Sequence, residues 1–185
     1  MNDTGLLQAA QVAERCANLD AEVIITSPYT RTKQTTQAIH EATKLPVEEL
    51  EYLHEKISAS KIADMIPEDP IRKEYDQQWY ANWWRPNWHD SDEENLDDMR
   101  HRARKSIEYI EQHEKEKLIV VSHGWFLRIL ILELSGLNLP NEQFAGMHDY
   151  MRASNTGITL CRKESDEIGK PDWKLITWND HAHLG

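Results

Sequence analysis

Two places in the chain pair a β-branched run with residues suited to phosphate chemistry. Glu22-Val23-Ile24-Ile25-Thr26 runs into Ser27-Pro28-Tyr29-Thr30-Arg31, and Leu118-Ile119-Val120-Val121 runs into Ser122-His123-Gly124. An arginine presents a planar fork of donors that fits phosphate oxygens, and a histidine donates to an oxygen or titrates near neutral pH. A glycine next to it lets a ligand approach the main chain closely. Where a strand hands over to a helix, unpaired backbone N–H groups and the positive helix end face one space, and that space favours an anion. Arg31, His123 and Gly124 are therefore the candidate phosphate-binding residues.

The elements that must position them follow from periodicity. Asn2-Asp3-Thr4 offers a helix cap, and Leu6, Leu7, Ala10, Val12, Ala13 and Cys16 form an amphipathic stripe behind it. A strand over 22–27 is followed by Pro28 and a helix from Tyr29 to about Ala42. Pro46 interrupts this pattern, and Val47 to Met65 reads as irregular with short helical pieces. Residues 67–94, with Pro67, Pro70, Pro86 and the tryptophans Trp79, Trp83, Trp84 and Trp88, read as a Trp-rich insertion. Packing of its rings on the main body is expected ahead of a ligand-facing aromatic wall.

Leu96 to about His113 is expected to be a solvent-facing helix, with Met99, Ala103, Ile107 and Ile110 on its apolar stripe. The apolar run 118–122 reads as a buried parallel strand, and Trp125 to Leu134 as an apolar helix ended by Ser135-Gly136. Gly157–Cys161 and Trp173–Trp178 should pair as a hairpin at or near a sheet edge. The alternation predicts an α/β fold in three layers: a mostly parallel sheet with helices on both faces, in one domain over 1–185. Ligands in such folds bind beyond the carboxyl ends of the strands, where Arg31 and His123 lie.

Charge narrows the partners. A net charge of -11 repels nucleic acid and anionic lipid, leaving a small anionic molecule held by a few focused cations. Cys16 and Cys161 form no zinc-type or disulfide pattern, so a reducing cytoplasm is expected. No run approaches the roughly 18 apolar residues of a membrane span, and the amino-terminal residues lack a signal-peptide pattern. His89-Asp90 with Glu93 and Glu94, and His181 with His183, lack a recognised ligand spacing, so neither metal nor cofactor is expected.

Several segments, in order, resemble the histidine phosphatase superfamily, which includes the cofactor-dependent phosphoglycerate mutases. Ser27-Pro28-Tyr29-Thr30-Arg31-Thr32-Lys33-Gln34-Thr35 is similar to its S-P-L-x-R-A-x-Q-T segment. Asn2-Asp3-Thr4-Gly5 with Gln8-Ala9 resembles its helix start, Val120-Val121-Ser122-His123-Gly124 its V-x-H-G motif, and Asn155-Thr156-Gly157 with Asn179-Asp180-His183-Leu184 its closing segments. The resemblance implies a phosphoglycerate mutase-like fold. It also implies a reaction in which one histidine attacks the phosphorus of a monoester, a carboxylic acid protonates the leaving oxygen, and water releases the phosphohistidine. Arg31 would hold the phosphate, and His123 would be the second pocket histidine. Leu53-His54-Glu55 resembles the segment of the acid, which makes Glu55 the first choice and Glu51 the fallback. A carboxyl of ordinary pKa, about 4.3, needs partial burial to hold a proton at neutral pH.

The family's nucleophile stands in an R-H-G motif on a first strand, and no such motif occurs here: of nine histidines only His123 precedes a glycine. The expectation is a fold whose first strand is missing, leaving its neighbours in the sheet unpaired. Three functions follow: a phosphomonoesterase truncated by a gene start placed too late, a catalytically silent phospho-ligand-binding protein, or a scaffold whose open sheet position takes another chain's strand. The first is favoured, with little or no activity for this polypeptide itself. Mutase activity is less expected, the Trp-rich insertion should shape the leaving-group side, and a homo-oligomer is possible.

Overall fold

The computed structural model describes residues 1–165, 169 and 171–185. The Asn2 side chain accepts from the Gly5 N–H and starts α1 (Asp3–Cys16), which buries Ala9, Val12, Ala13 and Cys16. β1 (Val23–Thr26) is buried at every position. After Pro28, α2 (Thr30–Thr43) runs to Lys44, which closes it in the left-handed conformation at φ 61°. A short strand β2 (Val47–Glu49) and two single 3₁₀ turns lead to α3 (Pro70–Asn82), capped by Asp69. Asn95 and Asp98 form a reciprocal capping box on α4 (Leu96–Gln112). β3 (Leu118–Val121), α5 (Gly124–Leu134), α6 (Asn141–Tyr150), β4 (Ile158–Ser165) and β5 (Pro171–Asp180) complete the order.

The three central strands are parallel in the order β2-β1-β3, and β4 pairs with β5 antiparallel in a separate two-stranded sheet. Helices cover both faces, so the chain has the α/β architecture with a parallel sheet that alternation predicts. On one face α1, α2 and β1 contribute Val12, Ala13, Cys16, Ile24 and Ile39, with Ile119, Val121 and Ile158 packed against them. On the other, Ile25 meets Leu53, Trp79, Trp83, Met99, Phe126, Ile129 and Phe144. Fully burying one such side chain contributes about 1.5–3 kcal/mol, so this second cluster dominates stability.

Four expectations change. The Val47–Met65 stretch holds a real strand: β2 pairs with β1, but its outward-facing Val47 and Glu49 hide the alternation that would announce it. α6 was not foreseen, because its buried residues Phe144, Ala145 and His148 are too few for a periodic signal. α4 is not simply solvent-facing. Beside Leu96, Met99 and Ala103 it buries Arg100 and Arg102, which is tolerable because each guanidinium is paired with a carboxylate and donates to backbone carbonyls. Arg102 pairs with Glu94 and donates to the Tyr52 and His54 carbonyls, while Arg100 meets Glu133, the Leu139 carbonyl and Asn141. Finally, β3 is only partly buried along its length although entirely apolar, because β1 takes the central position and, among the described residues, β3 pairs with β1 alone.

Candidate functional site

Thr26 of β1 and Val121 of β3 are register partners, so the residues that follow each strand emerge side by side at the carboxyl edge. The Ser27 N–H donates to the Val121 carbonyl, extending the ladder by one bond. His123 is then in contact with Ser27, 2.8 Å from its ring Nε2 to the Ser27 Oγ. On the other side of the ring, the Arg31 Nε–H donates to His123 Nδ1 at 2.9 Å. A ring nitrogen that accepts carries no proton, so the proton of the neutral imidazole sits on Nε2 and is donated to Ser27.

Burial first, and then the electrostatic influence of Arg31, His54 and Arg102, push the His123 pKa down to about 4. The ring is therefore neutral at pH 7. Tyr29 lies edge-on to it with ring centroids 5.2 Å apart, and His54 stacks on the far side of Tyr29 at 6.1 Å. Thr32 Oγ1 donates to the Tyr29 carbonyl at 2.7 Å and lies 3.0 Å from that of Ser27, tying the loop to the first turn of α2.

Glu55 reaches the same edge from the segment after the first 3₁₀ turn. Its Oε1 accepts from the N–H groups of Lys56 and Phe126 at 3.1 and 3.2 Å, which anchors it to the first turn of α5, and its Oε2 is 3.8 Å from Arg31 Nη2. The segment is fixed from behind, since Arg102 holds the Tyr52 and His54 carbonyls and the Ser122 hydroxyl donates to the Leu53 carbonyl. The fallback acid Glu51 lies exposed in the 3₁₀ turn, and its carboxylate touches none of these groups. Arg31 is an accessible cation: its side chain is 54% exposed and lines an open cavity of about 570 Å³ together with Met1, Pro28, Tyr29, Thr30 and Gln34.

Gly124 is the first residue of α5 with an ordinary negative φ, and a methyl group there would meet only the Ala153 methyl at 3.5 Å. No conformational need for glycine exists at that position. The N–H groups of Thr30, Arg31, Gly124 and Trp125 donate to no protein partner among the described residues. Two helix N-termini thus present free donors around one arginine.

Arg31, His123 and Glu55 are brought together by the fold, whereas Glu51 is not. Ser27, Tyr29 and His54 also belong to the site. Ser27 and Tyr29 were visible in the motif as residues, but nothing local marked them as partners of His123, 96 positions beyond Ser27. The cysteines stand apart: burial pushes the Cys16 thiol up, and that of Cys161 to about 11, so neither is a poised thiolate.

The profile of the "Histidine phosphatase superfamily (branch 1)" matches residues 1–181. The chain is 24% identical over 185 residues to the uncharacterized phosphatase PhoE of Bacillus subtilis (strain 168), covering all of this chain and 83% of that protein. Among solved structures, Bacillus stearothermophilus YhfR superposes with a TM-score of 0.79 at 18% identity, covering 100% of this chain and 87% of that one. The mycobacterial glucosyl-3-phosphoglycerate phosphatase Rv2419c in complex with inorganic phosphate superposes at 0.78 with 20% identity, covering 100% and 89%. At these identities the superpositions speak for the fold, which is phosphoglycerate mutase-like. Among the described residues no helix is long and apolar enough to cross a membrane.

Proposed function

Since the chain belongs to the histidine phosphatase superfamily (branch 1), we propose that its pocket takes the phosphoryl group of a small-molecule phosphomonoester. The observation that carries this reading is the convergence of the exposed Arg31 guanidinium with the free N–H groups at the starts of α2 and α5 around His123. Arg31 already spends its Nε on His123, which aims Nη1 and Nη2 at the space in front of the ring, where they donate to two phosphate oxygens. His123 stabilises negative charge on the phosphoryl group as a neutral donor, after its Nε2–H turns from Ser27 to the ligand. Glu55, anchored through Oε1, keeps Oε2 for the leaving oxygen and acts as its proton donor.

Hydrolysis through a phosphohistidine needs a further histidine in line with the leaving group, and these 185 residues contain no Arg-His-Gly segment. His123 is read as the stabilising residue, held by two hydrogen bonds and depressed in pKa. This polypeptide by itself therefore binds phosphate esters with little or no turnover, and turnover belongs to a form carrying that segment. Neither metal nor cofactor has a step in this scheme. The net charge of -11 disfavours nucleic acid as the phosphate source, and the two free cysteines suit a cytoplasmic protein. Residues 1–185 act as one domain, in which residues 67–94 shape the leaving-group side through Tyr80, whose ring lies 5.7 Å from Trp125.

Titration with inorganic phosphate and an aryl phosphate, followed through the His123 ring resonances, tests the reading. Replacing Arg31 by Ala should weaken binding at least about tenfold, as loss of a charge-assisted pair costs roughly 1.5–3 kcal/mol. Unchanged affinity in that variant would remove Arg31 from the site, and His123-dependent hydrolysis by the chain as it stands would reassign the nucleophile.

A further inference from the structure

The main chain and the ammonium of Lys56 belong to different neighbourhoods. Its N–H donates to Glu55 Oε1 at 3.1 Å, which fixes the backbone one residue beyond Glu55. Its side chain then lies across the aromatic layer, with Nζ 4.0 Å from the Trp79 ring centroid and 5.7 Å from that of Trp125. Trp125 is the second residue of α5 and follows His123 and Gly124 directly, so the ammonium borders the junction that carries His123. The Trp125 ring carries a second cation. Arg128 Cζ is 4.9 Å from its centroid, but Nε and Nη1 of Arg128 are spent on the Gly124, His148 and Met151 carbonyls. Tyr80, which meets Trp125 edge-on, is 53% exposed and forms the solvent side of this group.

Lys56 has no such partners. Among the described residues its ammonium makes neither a hydrogen bond nor an ion pair. The carboxylates whose fields reach it are engaged elsewhere: Asp76 with Arg72 at 3.3 Å, Glu55 with two N–H groups, and Glu93 with the Asp90 N–H at 2.6 Å. Burial, ahead of those fields, lowers the Lys56 pKa. The ammonium has thus given up water without gaining an oxygen acceptor, and an aromatic face supplies none. The buried indole N–H of Trp125 likewise has no acceptor. Two unpartnered donors therefore stand together beside Glu55, and what they lack is an acceptor.

We infer that Lys56 is a specificity-determining residue, and that the phosphomonoester taken by this pocket carries a second, singly charged anionic group on its alcohol. The inference rests on the phosphate reading above and sharpens it. Arg31 and the free N–H groups take the phosphoryl oxygens, Glu55 meets the ester oxygen, and Lys56, next in the chain, meets the far end of the leaving group. An anion there gives the ammonium the charge-assisted hydrogen bond it lacks. A single charge is favoured over a second phosphate, because the fields of Asp76, Glu55 and Glu93 act at the same place and repel a dianion more strongly.

Phenyl phosphate and its 3-carboxy and 4-carboxy derivatives differ by one carboxylate and test this on the full chain, with inorganic phosphate as the reference. Each is titrated into the wild type, Lys56→Met and Lys56→Arg, and followed through the His123 ring resonances. In the wild type one of the carboxylated esters should bind about tenfold more tightly than phenyl phosphate. In Lys56→Met that ratio should fall to about one, and Lys56→Arg should restore most of it. The change in the protein and the change in the ligand form a cycle, so a general loosening of the site cancels in the ratio. A wild-type ratio near one for both derivatives would overturn the inference without recourse to any variant, and so would a ratio that survives Lys56→Met. Failure of inorganic phosphate and phenyl phosphate to bind the wild type would remove the phosphate reading and this inference with it. If both bind and only the carboxylate gain is missing, the phosphate reading stands and the role of Lys56 falls.

Discussion

Replacing His123 by Gln removes a ring that the fold holds neutral, and the consequence is a specific change in how stability depends on pH. In the native state burial first, and then Arg31, His54 and Arg102 beside the ring, keep the His123 pKa at about 4, against 6.5 for the free side chain. The native ring thus binds fewer protons than the unfolded one between those values, and acid favours the unfolded state. The stabilisation is complete above about pH 6.5 and is lost as pH falls to about 4. At 1.36 kcal/mol per pH unit this window corresponds to roughly 3 kcal/mol. The ring is only 4% exposed, so solvent screening does not reduce the figure much. Urea unfolding of the wild type and His123→Gln at pH 7, 6, 5 and 4.5 measures the effect. The gap between the two proteins should narrow as pH drops, by up to about 3 kcal/mol across the window. His148 also has a pKa near 4, held down chiefly by burial, but it is present in both proteins and cancels in the comparison. Parallel curves would refute the argument, since they would mean that His123 is not held neutral by its surroundings.

Other perturbations read different parts of the fold. Trp79→Ala removes a ring 1% exposed that stacks on Trp83 at 5.6 Å, and urea unfolding should show a loss of about 3–5 kcal/mol. Arg102→Met leaves the His54 carbonyl without its guanidinium donor and the Glu94 carboxylate with the Ile57 N–H alone, and should cost about 3–5 kcal/mol with loosened exchange protection in the Glu55 segment. Gly124→Ala should leave the fold intact and the melting temperature nearly unchanged, because the added methyl only touches Ala153 and φ is ordinary. A large loss at Gly124 would show that a methyl group there meets more than Ala153.

The sequence by itself was sufficient for what depends on neighbours along the chain. The stripe of α1, the buried β1 run, the helices after Pro28 and after His123, and the placement of Arg31 and His123 at strand-to-helix junctions are all short-range patterns. Glu55 was singled out from its segment's resemblance alone, and its approach to Arg31 came only with the fold. What needed the tertiary structure depends on residues far apart in the chain. The bond between Ser27 and His123 spans 96 positions and exists because β1 and β3 lie in parallel register, which no local periodicity encodes. The neutral state of His123 follows first from burial and then from Arg31 of α2, Arg102 of α4 and His54, which are brought together around the ring. Arg102 looked like a surface residue until its carboxylate and two carbonyl partners, up to 50 positions away, made burial affordable. The apolar run of β3 announced a strand, but not that β1 would be its partner in parallel register. An apolar residue records the preference to be buried, and only the arrangement of the other strands decides whether anything arrives to bury it.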